Sequence, residues 1–174
     1  KFVFNLSLVV ENQYLNGEYK KAKKILKNFN KDDKFYYWYR VKKEAKIIEH
    51  QANKQESLKY ISSEFDKIDQ PNNKIIFDVA NFYKNSKQYE KAIEYYSIVI
   101  DSLNDEDIKS DLLYRRGGSY ERMGEYKKAD KDLLESLKIN PDDAYVLNYL
   151  AYSWLERNYK IDEAIIMLED AYAS

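Results

Sequence analysis

Few residues of this chain have the chemistry of a catalytic or metal site. Its 174 residues include no cysteine and one histidine, His50. A zinc site needs several nitrogen or sulfur ligands, so this inventory argues against one, and it removes thiol nucleophiles altogether. His50 lies near the end of a predicted helix, where the helix dipole favours a cation, and we interpret it as an end cap.

Two other motifs that resemble binding loops also have structural interpretations. Gly117 and Gly118 lack the Lys–Ser/Thr ending of a phosphate-binding loop and follow no predicted strand, so we expect them to serve helix packing. The acidic runs 105–107 and 142–143 precede predicted helices and lack the ligand spacing and central Gly of a calcium loop. Since no nucleophile, base and orienting group form a pattern, the sequence predicts a chain that is not an enzyme and has no cofactor or metal.

The charge and composition limit the class of partner and of fold. Lys plus Arg total 29 and Asp plus Glu total 30, so the net charge is −1. Binding to phosphate backbones requires a surplus of basic residues, which argues against nucleic acid as the main partner. Four Gly and two Pro are few for a sheet protein with many tight turns, so we expect a mostly helical chain. No apolar stretch is long enough to span a membrane.

A small residue recurs along the chain at a period of about 35 residues, always inside a pattern of charged and then apolar residues. These anchors are Ala22, Ser57, Ala92, Ala129 and Ala164, at steps of 35, 35, 37 and 35 residues. A second set lies twelve or thirteen residues earlier in each copy: Val10, Ala45, Ala80, Gly117 and Ala151. Large apolar residues follow at spacings of three and four, as on one face of a helix. The repeat therefore predicts two amphipathic helices that cross closely at the small residues.

Ten helices follow from this pattern. We place them at 2–15, 18–29, 34–50, 54–67, 72–85, 88–102, 108–122, 125–138, 142–156 and 161–173. Gly17 and Gly124 separate paired helices, where Gly suits a helix end. Pro71 and Pro141 separate consecutive pairs, and we expect each in the first turn of a helix or next to it.

At these spacings the chain resembles the tetratricopeptide repeat (TPR) family. The fourth copy carries the resemblance best, through Leu113, Gly117, Tyr120, Gly124, Tyr126, Ala129, Leu133 and Pro141. The resemblance implies an all-α fold, a right-handed α-solenoid of about five helix–turn–helix units in a single array over 1–174. The units are approximately 3–36, 38–71, 73–106, 110–143 and 144–174. Arg116 stands where the family usually has Leu, and we expect its stem to pack while its head reaches solvent.

The resemblance also implies that the first helix of each pair lines a concave groove. After the core positions are assigned, a stripe of Lys, Arg, Asn and aromatic residues remains on these helices. The candidate partner-binding residues are Lys42, Lys46, Phe77, Asn81, Lys84, Tyr114, Arg115, Arg122, Asn148 and Tyr152. Such a surface suits a peptide backbone, a carboxylate or an amphipathic partner helix. We therefore expect a non-enzymatic interaction scaffold or adaptor that binds another protein or peptide. The two-carboxylate clamp of chaperone-binding members is not expected, because Leu8, Asp78 and Asp111 occupy places of that clamp.

Three alternatives stay open at this point. The last helix carries Ile165, Ile166, Met167 and Leu168, so the chain is also read as an assembly module that pairs with another copy through its terminal repeat. The 35-residue period also resembles that of pentatricopeptide RNA binders, although net charge −1 disfavours this reading. The aromatic run 36–39 predicts core packing, with a stacking platform or partner hot spot as the alternative.

A finer resemblance bears on origin. The segment 147–154, followed by 161–164, resembles the C-terminal repeats of long bacterial envelope TPR proteins. The chain begins at Lys1 rather than Met, so we expect a fragment of a longer protein. The resemblance implies a bacterial periplasmic location, or an outer-membrane anchor in a segment before Lys1. The cytoplasm is the alternative.

Overall fold

The computed structural model of the chain describes residues 2–29 and 32–173, and over these residues it contains ten α-helices and no strand. The helices are α1 (Phe2–Leu15), α2 (Tyr19–Leu26), α3 (Lys34–Gln51), α4 (Lys54–Phe65), α5 (Asn73–Asn85), α6 (Tyr89–Ser102), α7 (Glu106–Arg122), α8 (Tyr126–Ile139), α9 (Ala144–Glu156) and α10 (Ile161–Ala173). The predicted all-α class is confirmed, and each helix end lies within three residues of its predicted position.

The differences at helix ends have local causes. Helix α2 stops at Leu26, not at 29, because the Asn28 side chain donates to the carbonyl of Ile25 at 3.1 Å and competes with the helical pattern. Helix α9 starts at Ala144 because the Asp143 carboxylate accepts from two main-chain amides of its first turn. Pro141 consequently lies in a turn before α9 and not in the helix.

The contacts divide the chain into two compact units, and the boundary falls inside α5 between Ile75 and Ile76. In unit 1, α1 packs on α2 and α3 packs on α4. The buried apolar core of its N-terminal part is formed by Val10, Ala22, Leu26, Phe29 and Ile47. In unit 2, α6 packs on α7, α7 on α8, α8 on α9 and α9 on α10. The core at its C-terminal end is formed by Leu133, Val146, Leu150, Ala151, Trp154 and Ala164.

The repeat anchors are buried, as the sequence predicts. Ala22, Ala92 and Ala164 are fully inaccessible. Ser57, which replaces Ala in the second copy, is also buried, and its hydroxyl donates to the carbonyl of Ala45 on α3 at 2.7 Å. That hydrogen bond satisfies the polar group of Ser57 inside the crossing of α3 and α4.

Four of the five helix pairs share one turn. At Gly17, Lys87, Gly124 and Asn158 the backbone has positive φ, between 51° and 76°. Each turn has the two hydrogen bonds of a Schellman motif; for example, the amide of Gly124 donates to Glu121 at 2.9 Å and that of Glu125 to Tyr120 at 2.9 Å. The second pair differs, because Asn53 instead caps α4 by accepting from the amide of Glu56.

One prediction about a side chain is corrected. Of the two isoleucines on α3, the buried residue is Ile47, and its neighbour Ile48 is half-buried. The head of Arg116 is paired across the two helices, and the side chain is only 18% exposed. Its guanidinium donates to both carboxylate oxygens of Asp132 on α8, at 2.7 and 2.8 Å, and Asp132 is only 4% exposed.

The aromatic run 36–39 serves packing. Tyr37 and Trp38 are buried, and Trp38 lies edge-on to Phe65 with ring centroids 6.4 Å apart. Tyr36 and Tyr39 both contact the buried ring of Phe29. The core interpretation of this run therefore accounts for its aromatic residues.

Candidate partner-binding site

A cavity of about 480 Å³ opens in unit 2, between the first helices of three consecutive pairs and the start of α6. Its lining residues are Lys84 on α5, Tyr89 on α6, Tyr114, Arg115, Gly118, Ser119 and Arg122 on α7, and Tyr149 on α9. Four of the candidate residues named from the sequence, Lys84, Tyr114, Arg115 and Arg122, thus share one concave surface. A volume of this size suits a few side chains of a partner segment.

Arg115 is held in place from behind the cavity by two other candidate residues. Its guanidinium lies over the ring of Phe77, 5.2 Å from the centroid, and donates to the side-chain oxygen of Asn81 at 3.3 Å. Asn81 accepts a second hydrogen bond, of 2.5 Å, from the hydroxyl of the buried Tyr96. Asp111, one turn earlier on α7, accepts from Arg115 Nε at 2.8 Å. Phe77 and Asn81 therefore position Arg115, and much of its charge is already balanced.

The charge of Lys84, in contrast to that of Arg115, is not balanced by a partner among the described residues. This lysine is half-buried in the last turn of α5, and within the described residues its ammonium makes no hydrogen bond or ion pair. Burial lowers the pKa of Lys84, and the neighbouring Arg115 guanidinium lowers it further, against a weaker opposing effect of Asp111. The cavity thus contains a cation that has lost part of its hydration without gaining a partner.

The remaining cation, Arg122, is exposed at the rim, and its Nε donates a long hydrogen bond of 3.4 Å to the hydroxyl of Tyr89. On the α9 side, the hydroxyl of Tyr149 donates to the carboxylate of Glu121 at 3.1 Å. The Tyr149 ring meets that of Tyr114 edge to face, with centroids 5.8 Å apart. The lining therefore combines the rings of Tyr114 and Tyr149 with the cationic side chains.

Gly118 creates the open space at the centre. A Cβ built at this position would meet only the Tyr149 side chain, at 3.5 Å or more, which is ordinary van der Waals contact. At Gly117, a Cβ would come within 3.0 Å of the buried Leu133 side chain. Gly117 is therefore required by packing, as predicted, whereas the absence of a side chain at Gly118 opens the cavity.

The other candidate residues lie outside this cavity. Lys42 and Lys46 are on α3 in unit 1, where Lys42 is half-buried and Lys46 exposed. Asn148 and Tyr152 lie on the exposed side of α9, and Tyr152 is 60% exposed. Sequence reasoning missed Tyr89, Ser119 and Tyr149.

Unit 1 has a smaller cavity of about 160 Å³, lined by Lys34, Tyr37, Lys67, Ile68 and Asp69. The ammonium of Lys34 donates to the main-chain carbonyl of Asp69 at 2.6 Å, and the Tyr37 hydroxyl bonds Glu64. His50 lies in the last turn of α3, as predicted, and its Nε2 is 2.9 Å from the Tyr14 hydroxyl. These polar groups already have partners within unit 1, so the cavity of unit 2 is the stronger candidate.

Comparison with known proteins identifies the repeats. Two family models described as tetratricopeptide repeat match residues 74–100 and 110–143. A TPR repeat-containing protein of Methanocaldococcus jannaschii is 37% identical over 79 residues, which are 45% of this chain and 13% of that protein. The chain therefore aligns with a small part of this much longer relative.

Solved structures share the fold. A structure titled "MamA 41-end from Desulfovibrio magneticus RS-1" superposes with a TM-score of 0.73 at 12% identity, over 97% of this chain and 92% of that one. A second, titled "Crystal structure of MamA", gives 0.69 at 18% identity over 95% and 93%. At such identities the likeness concerns the fold alone. Over the described residues, no helix combines the length and apolar character needed to cross a bilayer.

The periodic small residues, the shared turns and the two matched segments agree on one assignment. TPR domains bind protein partners. Residues 74–100 and 110–143 of this chain therefore match the tetratricopeptide repeat family.

Proposed function

We propose that this chain is a non-enzymatic interaction module that binds a segment of a partner protein in the cavity of unit 2. The observation that supports the proposal is that one cavity of about 480 Å³ is lined by four candidate residues, Lys84, Tyr114, Arg115 and Arg122. Aromatic and Arg side chains are the residues that most often anchor protein partners. The residues behind the cavity hold Arg115 in one orientation, which lowers the entropy lost on binding.

A cavity-filling variant tests the proposal without altering any charge. Gly118→Leu places a side chain in the cavity, and its Cβ would meet the Tyr149 side chain at ordinary van der Waals distance. Ala173→Leu, at an exposed position of α10, is the matched control. The probe is a set of twelve-residue peptides selected on the wild-type chain from a displayed random library, with affinities measured by fluorescence polarisation.

We expect selected peptides to bind Gly118→Leu at least tenfold more weakly than wild type and to bind Ala173→Leu unchanged. Equal binding to wild type and Gly118→Leu would contradict the proposal, and so would a selection that enriches no peptide.

A second function, self-association, is favoured by the surface of α10. Ile165, Ile166 and Tyr172 are 45%, 56% and 95% exposed. One repeat earlier, the places of Ile165 and Ile166 are occupied by Asp130 and Lys131. Sedimentation equilibrium tests this alternative: a concentration-dependent dimer that Ile165→Asp abolishes would support it, and a monomer at all concentrations would contradict it.

A further inference from the structure

We infer that the cavity of unit 2 binds a carboxylate group of the partner, between Lys84 and Arg122. The inference rests on the proposed function and specifies the chemistry of the bound group.

The first argument is the charge balance of the cavity. Three cations line it, Lys84, Arg115 and Arg122. Three carboxylates lie near it and all are engaged: Asp111 accepts from Arg115 at 2.8 Å, Glu121 accepts from Tyr149 at 3.1 Å, and Asp143, whose charge raises the pKa of Tyr114, caps α9. Among the described residues, the lining cations Lys84 and Arg122 have no carboxylate partner, and a carboxylate of the ligand would supply one.

The second argument is the state of Lys84 compared with other lysines of unit 2. Lys91 and Lys128 are exposed and form ion pairs with Glu94 and Glu125, at 3.0 and 2.6 Å. Lys84 is half-buried and, within the part of the chain that the structure describes, has no such partner. A partly desolvated cation without a counter-charge costs free energy in the unbound protein, and an incoming anion removes that cost.

The third argument is the chemistry of the rim. Among the residues that the structure describes, Arg122 makes one hydrogen bond, a long one of 3.4 Å from Nε to Tyr89, so its terminal nitrogens are available to a ligand. An Arg guanidinium binds a carboxylate through paired N–H donors, and a Lys ammonium adds a point charge. The rings of Tyr114 and Tyr149 would contact the apolar stem that carries the carboxylate. Neither Lys84 nor Arg122 occupies a place of the chaperone-type clamp described above.

The carboxylate has two sources in a peptide, an Asp or Glu side chain and the chain's own C-terminus. Library selection is therefore run in two formats, one with both peptide ends joined to the display protein and one with a free C-terminus. For the tightest peptide of each format we compare the carboxylate with its amide form. The protein variants are Lys84→Met and the control Lys127→Met, which removes the same charge from an exposed position of α8.

We expect amidation to weaken binding to the wild-type chain at least tenfold, and to have less than a twofold effect on Lys84→Met. Lys127→Met should behave as wild type. The format that yields the sensitive peptide identifies the source of the carboxylate. If amide and carboxylate forms bind wild type equally while Gly118→Leu still abolishes binding, the carboxylate inference is wrong and the proposed function stands. If Gly118→Leu has no effect, or no peptide is enriched, both are wrong.

Discussion

Arg116 on α7 and Asp132 on α8 form a two-pronged ion pair inside unit 2, with N–O distances of 2.7 and 2.8 Å. A third hydrogen bond, of 3.0 Å, joins the same guanidinium to the hydroxyl of Ser97 on α6. The hydrogen bonds between Arg116 and Asp132 raise the pKa of Arg116, so the guanidinium keeps its charge.

This pair predicts strongly non-additive substitutions. Arg116→Leu alone leaves the carboxylate of Asp132 buried and unpaired, and should lower the free energy of unfolding by about 3–5 kcal/mol. The double variant Arg116→Leu/Asp132→Ala removes both charges and should recover most of that loss. Urea unfolding of the wild type, both single variants and the double variant measures the coupling; losses that simply add would contradict the assignment.

The two adjacent glycines of α7 should respond to alanine in opposite directions. Gly118→Ala adds a methyl group at ordinary contact distance from Tyr149 and removes backbone freedom from the unfolded chain, so it should raise the free energy of unfolding by about 0.5–1 kcal/mol. Gly117→Ala should lower it by about 1–3 kcal/mol, because its Cβ would lie 3.0 Å from the fully buried Leu133 side chain and 3.2 Å from Asp132, which would have to shift. Thermal and urea unfolding distinguish the two; equal effects would mean that α7 and α8 do not cross as closely as described.

The shared turn predicts a reciprocal pair of substitutions. Lys87 has φ of +60° where two other turns have Gly, a conformation that costs a side-chain-bearing residue about 1–2 kcal/mol. After the extra backbone entropy of Gly is subtracted, Lys87→Gly should stabilise the protein by about 0.5–1 kcal/mol. Gly124→Lys should destabilise it by a similar amount, and since no atom lies within 4 Å of a Cβ there, the cost would be conformational. Two changes of the same sign would refute this account.

The lowered pKa of Lys84 predicts a pH dependence of stability. The folded state holds the Lys84 proton less tightly than the unfolded chain, whose lysines titrate near 10.4. Lys84 therefore destabilises the free protein at neutral pH, and this effect fades as pH rises through its folded pKa toward the unfolded value. Lys84→Met should show a higher Tm than wild type at pH 7, and the difference should shrink by pH 10.5. A difference that stays constant with pH would contradict the unpartnered state of Lys84.

The sequence predicted the fold well because one physical requirement repeats along it. Close crossing of two helices admits only small residues, and the anchors at about 35-residue spacing reveal those crossings directly. Arg116 was misassigned because the pattern of one helix does not contain its partner: Asp132 looks like a surface residue until α8 packs against α7. An ion pair between two helices can be predicted only when it is known which faces of the two helices meet.

The binding site was predicted only in part for a related reason. The stripe on α9 was assigned to Asn148 and Tyr152, whereas Tyr149, one residue along, reaches back to Tyr114 and Glu121 on the preceding first helix. Tyr149 stands two places before the small crossing residue Ala151. Arg115, two places before Gly117, likewise contacts the ring of Phe77 on the preceding first helix. In unit 1, Lys43 does the same toward Tyr14, 5.0 Å from its ring centroid. These contact residues can be found by their fixed distance from the small crossing residue of each repeat, but not from the periodicity within one helix.

The Schellman turn gives this chain a way to change its length over evolution. Its two hydrogen bonds involve main-chain atoms alone, and they form equally at Gly17, Lys87, Gly124 and Asn158. A duplicated segment of DNA that encodes one helix pair would thus bring a complete hairpin closure with it, and Gly, Lys and Asn all occupy the turn here. Later substitutions on the helix faces would leave that main-chain closure intact.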